Sequence, residues 1–365
     1  MKRILGIVLA FVLIGGVITA VVLGRDDDSE ASDTTTIRGV IGSEKAEFFD
    51  DPTVREALAD QGFVVETESS GSWDMQGLDL KGEDFAFPGS SAPADALRRA
   101  HASSGAPLRP FYSPLVVLAR RPAAETLAGA GYVKLTGPVG REGSGTLRME
   151  RFLDAVKKDT VWQDLRGSGE YAELKGRLSI TSTDPLASNS GALYLATAAY
   201  VAAGNRLVSD DKGIAAVLPL TRKLMADQGR QQVNSDAPFN DFTTGVGTPL
   251  VLAYESQIAS LLLRGDTVED LVVLYPDTTV FSDHSLVPLT DRGRKFGELL
   301  QRDPKLRQLA VRHGFRPSGD VSEFAAATAK HGAHLRQKLT GTVQQAPVPT
   351  AEVMREIARR SRAEK

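Results

Sequence analysis

Residues 36–45 read Thr-Ile-Arg-Gly-Val-Ile-Gly-Ser-Glu-Lys, and this stretch decides the fold class. Thr36 to Ile41 has the alternation of a strand, and Gly42-Ser43-Glu44-Lys45 breaks it. From Lys45 to Gln61 the apolar residues Phe48, Phe49, Val54 and Leu58 fall at helical spacing, and Gly62 ends the run. The same pattern then recurs. Phe63 to Glu68 predicts a strand followed by Ser69-Ser70-Gly71-Ser72, and Asp84 to Phe87 a short strand followed by Pro88-Gly89-Ser90-Ser91. Asp95 to Ala102 reads as a helix. Three strands that each end in a Gly/Ser turn, alternating with helices, predict an α/β fold with a parallel, doubly wound sheet. Ligands of such sheets sit beyond the carboxyl ends of the strands, where these serine turns fall.

Farther on, Leu115 to Ala119 is a continuous apolar strand of the kind buried on both faces. Pro122 to Gly131 and Leu147 to Leu165 read as mostly helical. Leu178 to Thr183 reads as a strand leading through Asp184-Pro185-Leu186-Ala187-Ser188-Asn189-Ser190-Gly191 into a helix of small, mainly apolar residues, Ala192 to Ala203. Ile214 to Gln228 is expected to be helical, Pro249 to Tyr254 a strand and Glu255 to Arg264 a helix. Leu271 to Tyr275 and Val287 to Leu289 read as strands, and Arg292 to Gln301 and Pro304 to His313 as helices. No tandem repeat of fixed period is evident.

The N-terminus carries a separate signal. Ile4 to Leu23 is 20 residues without a charge. As a helix rising ~1.5 Å per residue it would span roughly 30 Å, the thickness of the hydrocarbon layer. Lys2 and Arg3 precede it, and an acidic, polar linker follows over residues 25–36, which keeps the N-terminus inside and sends the remainder out. Residues 1–24 are therefore expected to be an uncleaved anchor. A cleaved signal peptide is the competing reading, but its apolar region is usually ~7–15 residues. The nearest small-x-small site, Ser29-Glu30-Ala31, follows three aspartates. Either way the main domain is expected outside the cytoplasm. With 43 Lys and Arg against 46 Asp and Glu, no basic field exists to attract nucleic acid. The absence of cysteine excludes disulfides, thiolate metal sites, cysteine nucleophiles and a lipidated N-terminal cysteine.

The order of segments resembles type II extracytoplasmic solute-binding proteins, the venus-flytrap group that includes molybdate, sulfate and phosphate binders. The resemblance covers roughly residues 37–317. It rests on IGSE after the first strand, ESSGSWDM after the second and FAFPGSS at the third, with FYSPLVVLARR similar to the crossover into the second lobe. ITSTDPLASNSGALYLA, TPLVLAYESQIASLLL, VVLYPDTTVFSDHSLVPLT and a closing segment ending in HGF complete it. It implies two lobes joined by crossing strands, with lobe one at about 37–114 plus 276–341 and lobe two at about 115–275. Residues 342–365 form a linker and a basic C-terminal helix. The ligand would lie in the interlobe cleft. Delivery to an ABC-type permease is what the family implies. No run of arginines or aspartates matches one substrate subgroup, so no ligand is carried over.

Small residues at a helix start let an anion approach free N–H groups and the positive end of the dipole. Ser43 with Glu44, and Ser188, Asn189 and Ser190, have this form. Ser70, Ser72, Ser90 and Ser91 add hydroxyls that donate or accept. Tyr254 and Glu255 end a strand at the expected cleft edge. These are the candidate ligand residues, and each serine could equally be a helix cap. A small polar solute, anionic if neutral donors dominate, is the expected partner. If Glu44 and Glu255 both face the cleft, a cation, an amine or a protonated oxyanion is expected instead. Trp73 is expected in packing rather than on the ligand. No cofactor and no catalytic residue is expected. The five histidines, His101, His284, His313, His331 and His334, bring no Gly-x-Ser-x-Gly elbow with them, and the neighbours in Asp283-His284-Ser285 would point to opposite faces of a strand. His331 and His334 alone make a surface helix a better reading than zinc. A serine hydrolase is thus the weakest reading, behind a solute binder and an orphan sensor or envelope interaction module. The C-terminal residues 351–365 are helical in pattern, with Val353, Met354 and Ile357 on one side, and are expected to tuck onto lobe one.

Overall fold

The computed structural model describes residues 34–103, 105–137 and 143–362. The expected anchor over 4–23 lies outside the described residues, and among those described no helix is long and apolar enough to cross a membrane. The described residues from Thr35 onward form one compact unit.

The chain opens with β1 (Thr35–Ile41), whose Ile37, Val40 and Ile41 are buried. The expected single helix after it is broken. A 3-10 turn over Ser43–Lys45 leads into α1 (Ala46–Asp50), and α2 (Pro52–Ala59) follows. Pro52 cannot continue the first helix and instead starts the second, where Asp51 caps the Thr53 N–H at 2.7 Å. Next come β2 (Phe63–Ser69), β3 (Phe85–Phe87) and α3 (Ser91–Ala100). Strand β4 (Phe111–Arg120) carries the chain to a second sheet. There α4 (Arg121–Gly129) precedes the hairpin β5 (Val133–Thr136) and β6 (Ser144–Leu147), followed by α5 (Met149–Lys157). Three helices follow, α6 (Asn189–Ala202), α7 (Asp211–Ala226) and α8 (Asp236–Thr243), then β7 (Leu250–Tyr254) and α9 (Glu255–Leu263). The return runs through β8 (Leu271–Pro276), β9 (Thr278–Thr279), β10 (Phe281–Asp283) and β11 (Val287–Pro288). Helices α10 (Asp291–Arg302) and α11 (Pro304–Arg312), β12 (Arg316–Pro317), α12 (Ser322–Ala327), β13 (Gln344–Gln345) and α13 (Ala351–Arg362) complete the fold.

The first sheet has the order β11-β3-β1-β2. Its β1 is parallel to β2 and β3, as the repeated strand-turn-helix pattern predicts, while β11 adds an antiparallel edge. The second sheet is mixed rather than parallel. β4 runs antiparallel to both β7 and β8, and β6 is parallel to β8. The parallel arrangement fails here because β4 enters antiparallel to β7 and β8, and the antiparallel pair β5 and β6 occupies the stretch between the two expected helices. The expected strand over Leu178–Thr183 is reduced to parallel bridges from Thr181 to Val251 and from Thr183 to Gln232.

Each sheet has its own core. Phe85 and Phe296, with centroids 4.9 Å apart, and Phe111 stacked on Phe315 at 4.3 Å fill the first. In the second, Leu115, Val117 and Ala119 of β4 face one core while Val116 and Leu118 face another. The apolar run of β4 is thus buried on both faces although its neighbours are antiparallel.

The C-terminal helix departs from its expected place. Met354, Ile357 and Ala358 of α13 join the core of the second sheet, beside α6 and α7. Ser361 Oγ donates to Thr221 Oγ1 at 2.8 Å, and Arg222 Nε donates to the Arg360 carbonyl at 2.9 Å. The apolar stripe is therefore wider than Val353, Met354 and Ile357, and it fits the groove beside α7 rather than the first sheet.

Candidate ligand-binding cleft

Loops from the two sheets meet around a cleft of about 210 Å³. Ser43 and Glu44 follow β1, and Ser69, Ser70, Gly71, Ser72 and Asp74 follow β2. From the other side come Ser188 and Asn189 at the head of α6, Val233 to Ser235 before α8, and Tyr254 at the end of β7. The carboxyl ends of β1 and β2 thus supply one wall, as a wound sheet requires.

The two walls touch. Ser90 Oγ donates to Asn189 Oδ1 at 2.6 Å, and the Trp73 backbone N–H donates to the Ala187 carbonyl at 3.3 Å. Asn189 Nδ2 donates to Tyr254 Oη at 3.1 Å and to Ser282 Oγ at 3.3 Å. Ser282 Oγ in turn donates to the Gly89 carbonyl, and the Gly89 N–H donates to Ser72 Oγ at 2.9 Å. Asn189 is thus a junction between both walls and the return strand. Glycine is needed at two of these contacts. A Cβ on Gly89 would meet Asn189 Nδ2 at 2.8 Å, and one on Gly71 would meet the Ala187 carbonyl oxygen at 2.7 Å. Gly89→Ala is expected to push Asn189 away and to lower the thermal midpoint by several degrees, which a melting curve reads directly.

Behind the cleft lies a buried ionic cluster. Lys45 Nζ donates to Glu44 Oε1 at 2.5 Å and lies 3.3 Å from His284 Nδ1, which is itself 3.3 Å from Glu44 Oε1. Lys45 and His284 are fully buried, and the Glu44 side chain is 6 % exposed. Burial pushes the Glu44 carboxyl up, but the Lys45 ammonium and the His284 hydrogen bond outweigh it and hold it below the usual carboxylate range. Burial, helped by the Lys45 charge, lowers His284 to about 4. The imidazole is therefore neutral at pH 7. A histidine lowered on folding stabilises fully above its unfolded value and loses that contribution as pH falls toward the folded one. Stability is expected to drop by roughly 3 kcal/mol between about pH 6.5 and pH 4, and His284→Gln should flatten that limb in urea titrations.

Of the sequence candidates, Ser43, Glu44, Ser70, Ser72, Ser188, Asn189 and Tyr254 line this cleft. Ser90 lies behind it, 1 % exposed and bonded to Asn189. Ser190 is also 1 % exposed, within 2.8 Å of Thr183 Oγ1 and 3.1 Å of Ser188 Oγ. Ser91 begins α3 and is not a lining residue. Glu255 points away from the cleft, fully buried against Arg316. Its position just after β7 is what the sequence shows, but the first residue of α9 faces the helix interior side, where Arg316 waits. Ser69, Gly71, Asp74 and Val233 to Ser235 line the cleft without having been singled out. The Asn234-Ser235-Asp236 run carries a helix-start signal, since Asn234 Oδ1 accepts from the Ala237 N–H at 3.1 Å. Trp73 is buried in packing, with the Arg355 guanidinium 5.4 Å from its ring centroid.

No family model matches the chain, and no curated protein matches it by sequence. Solved structures do match. A periplasmic thiamin-binding protein superposes with a TM-score of 0.60 at 12 % identity, covering 93 % of this chain and 100 % of its own. Iron-bound HitA from Pseudomonas aeruginosa gives 0.57 at 10 % identity, covering 90 % and 100 %. The sulfate-binding protein SubI from Mycobacterium tuberculosis gives 0.51 at 14 % identity, covering 88 % and 96 %. Identities this low speak to architecture. The mixed sheets, the crossing strand β4 and these superpositions together show that the chain has the α/β fold of type II periplasmic solute-binding proteins.

Proposed function

We propose that the chain is a solute-binding protein that works outside the cytoplasm, tethered by residues 4–23, and captures a small polar solute between its two walls. The observation that carries this reading is the cleft itself. Its lining is polar, its residues come from loops of both sheets, and Asn189 links the walls through side-chain hydrogen bonds. A solute seated there replaces water on both walls and favours the closed arrangement. Delivery to an ABC-type permease is the use that the fold suggests. Asn189→Ala is expected to weaken solute binding by tenfold or more in calorimetric titration, since it removes a lining amide and the ties to Ser90 and Tyr254 together. An unchanged affinity would move the site elsewhere.

One observation favours a second reading, an envelope module acting through a protein partner. Helix α13 is tied both to Trp73 through Arg355 and to Asp184 through Arg362, which restrains the walls from parting. Affinity capture from an envelope fraction, with a partner retained when the cleft is blocked by Val233→Trp, would support it.

A further inference from the structure

The charge of the cleft suggests the chemical class of its solute. Among the described residues, the lining carries two carboxylates, Glu44 and Asp74, and no lysine, arginine or histidine. The nearby Lys45 is turned inward, held by Glu44 and His284 beneath the wall. Behind Ser43 and Glu44 lies a second chamber of about 250 Å³, which shares those two residues as a common wall with the cleft. Asp236, Asn240, Ser256 and Gln257 are among its lining. Ser256 is 2 % exposed, and its buried Oγ has no hydrogen-bond partner among the described residues. Asp236 accepts from Gln257 Nε2 at 2.9 Å. The chamber's two basic side chains are already engaged, Arg264 with Glu47 at 2.7 Å and His313 with Asp51 at 2.9 Å.

We propose that this paired cavity takes a solute bearing an ammonium group, with Glu44 at the junction, Asp74 on the cleft side, and Asp236 with Ser256 on the chamber side. This rests on the cleft being the solute site. An anion entering the cleft would meet the Asp74 carboxylate in a partly desolvated space, while Lys45 beneath the wall is already paired with Glu44. A cation would offset carboxylates on both sides of the shared wall, and its substituents would give Ser256 Oγ the partner it lacks. The anionic solute allowed by the serine turns is therefore disfavoured, because those hydroxyls accept as readily as they donate.

The test titrates the full chain calorimetrically with methylammonium, putrescine and spermidine beside sulfate, molybdate and glucose. Saturable binding of an amine, weakened tenfold or more by Asp74→Asn and by Asp236→Asn and reduced by added salt, is the expected result. Each substitution keeps the side-chain shape and one acceptor oxygen while removing the charge, so circular dichroism should be unchanged. Binding of an anion or sugar with the amines silent overturns the charge assignment and leaves the cleft as the site. Amine binding that neither substitution weakens also overturns the assignment. Silence across the panel overturns the assignment and the solute-binding reading together.

Discussion

Replacing Glu255 with alanine is expected to cost about 3–5 kcal/mol of stability. Arg316 is 1 % exposed and Glu255 fully buried. Glu255 Oε2 accepts from Arg316 Nε at 2.5 Å, and Oε1 accepts from Arg316 Nη2 at 2.9 Å and from Tyr275 Oη at 2.5 Å. Arg316 also donates to the Gln337 carbonyl at 3.3 Å and to the Arg336 carbonyl, and its guanidinium lies 3.9 Å from the Phe324 ring centroid. Removing the carboxylate leaves a buried guanidinium without its counter-charge. Removing both charges is a milder change, because a buried pair spends most of its attraction on desolvation. Glu255→Leu combined with Arg316→Met should therefore recover much of the loss. Urea unfolding of the two variants checks this. A single variant within about 1 kcal/mol of the parent would contradict the account.

Deleting residues 351–365 should be comparably severe. Met354 and Ile357 are buried at 3 % and 1 % exposure, and burying each such side chain stabilises by about 1.5–3 kcal/mol, so roughly 3–6 kcal/mol is at stake. The deletion also bares apolar surface on α6 and α7, so increased binding of a hydrophobic dye should accompany the lower denaturant midpoint. A further consequence concerns the walls. Arg355 donates to the Trp73 carbonyl at 3.1 Å, Glu352 pairs with Arg99 at 2.6 Å, and Arg362 pairs with Asp184 at 2.5 Å. The exposed pairs contribute little to stability singly, but they link the first-sheet loops to the loop before α6. An unchanged midpoint in the truncated chain would show that the helix does not hold the second core.

The parts of the fold visible in the sequence are those with long, regular periodicity. The strands β1, β2, β4, β7 and β8 and the helices α9, α10 and α11 fall close to their expected places, because each has an apolar face or run and a clear stop. The break at Asp51-Pro52 hides inside a continuing helical spacing. The hairpin of β5 and β6 is only four residues on each side, too short for alternation to stand out against the helical runs around it. The site is legible where a serine turn follows a strand, as at Ser43, Ser70 and Ser72. It fails at Glu255, whose direction depends on Arg316 at 61 residues' remove. Asn234 and Ser235 were invisible for the opposite reason, since a loop before a short helix looks like any cap until the other wall is present.

The most direct test of the solute cleft compares the parent chain with Val233→Trp. Val233 lines the cleft at 60 % exposure, so an indole there occupies the space without disturbing the core. Thermal melts of both proteins would be run with a saturating solute found by titration. A solute at about 100 times its Kd should stabilise the parent by ~2.7 kcal/mol. Val233→Trp is expected to melt like the parent when unliganded and to gain nothing from the solute. Equal stabilisation of both proteins would contradict it and place binding outside this cleft.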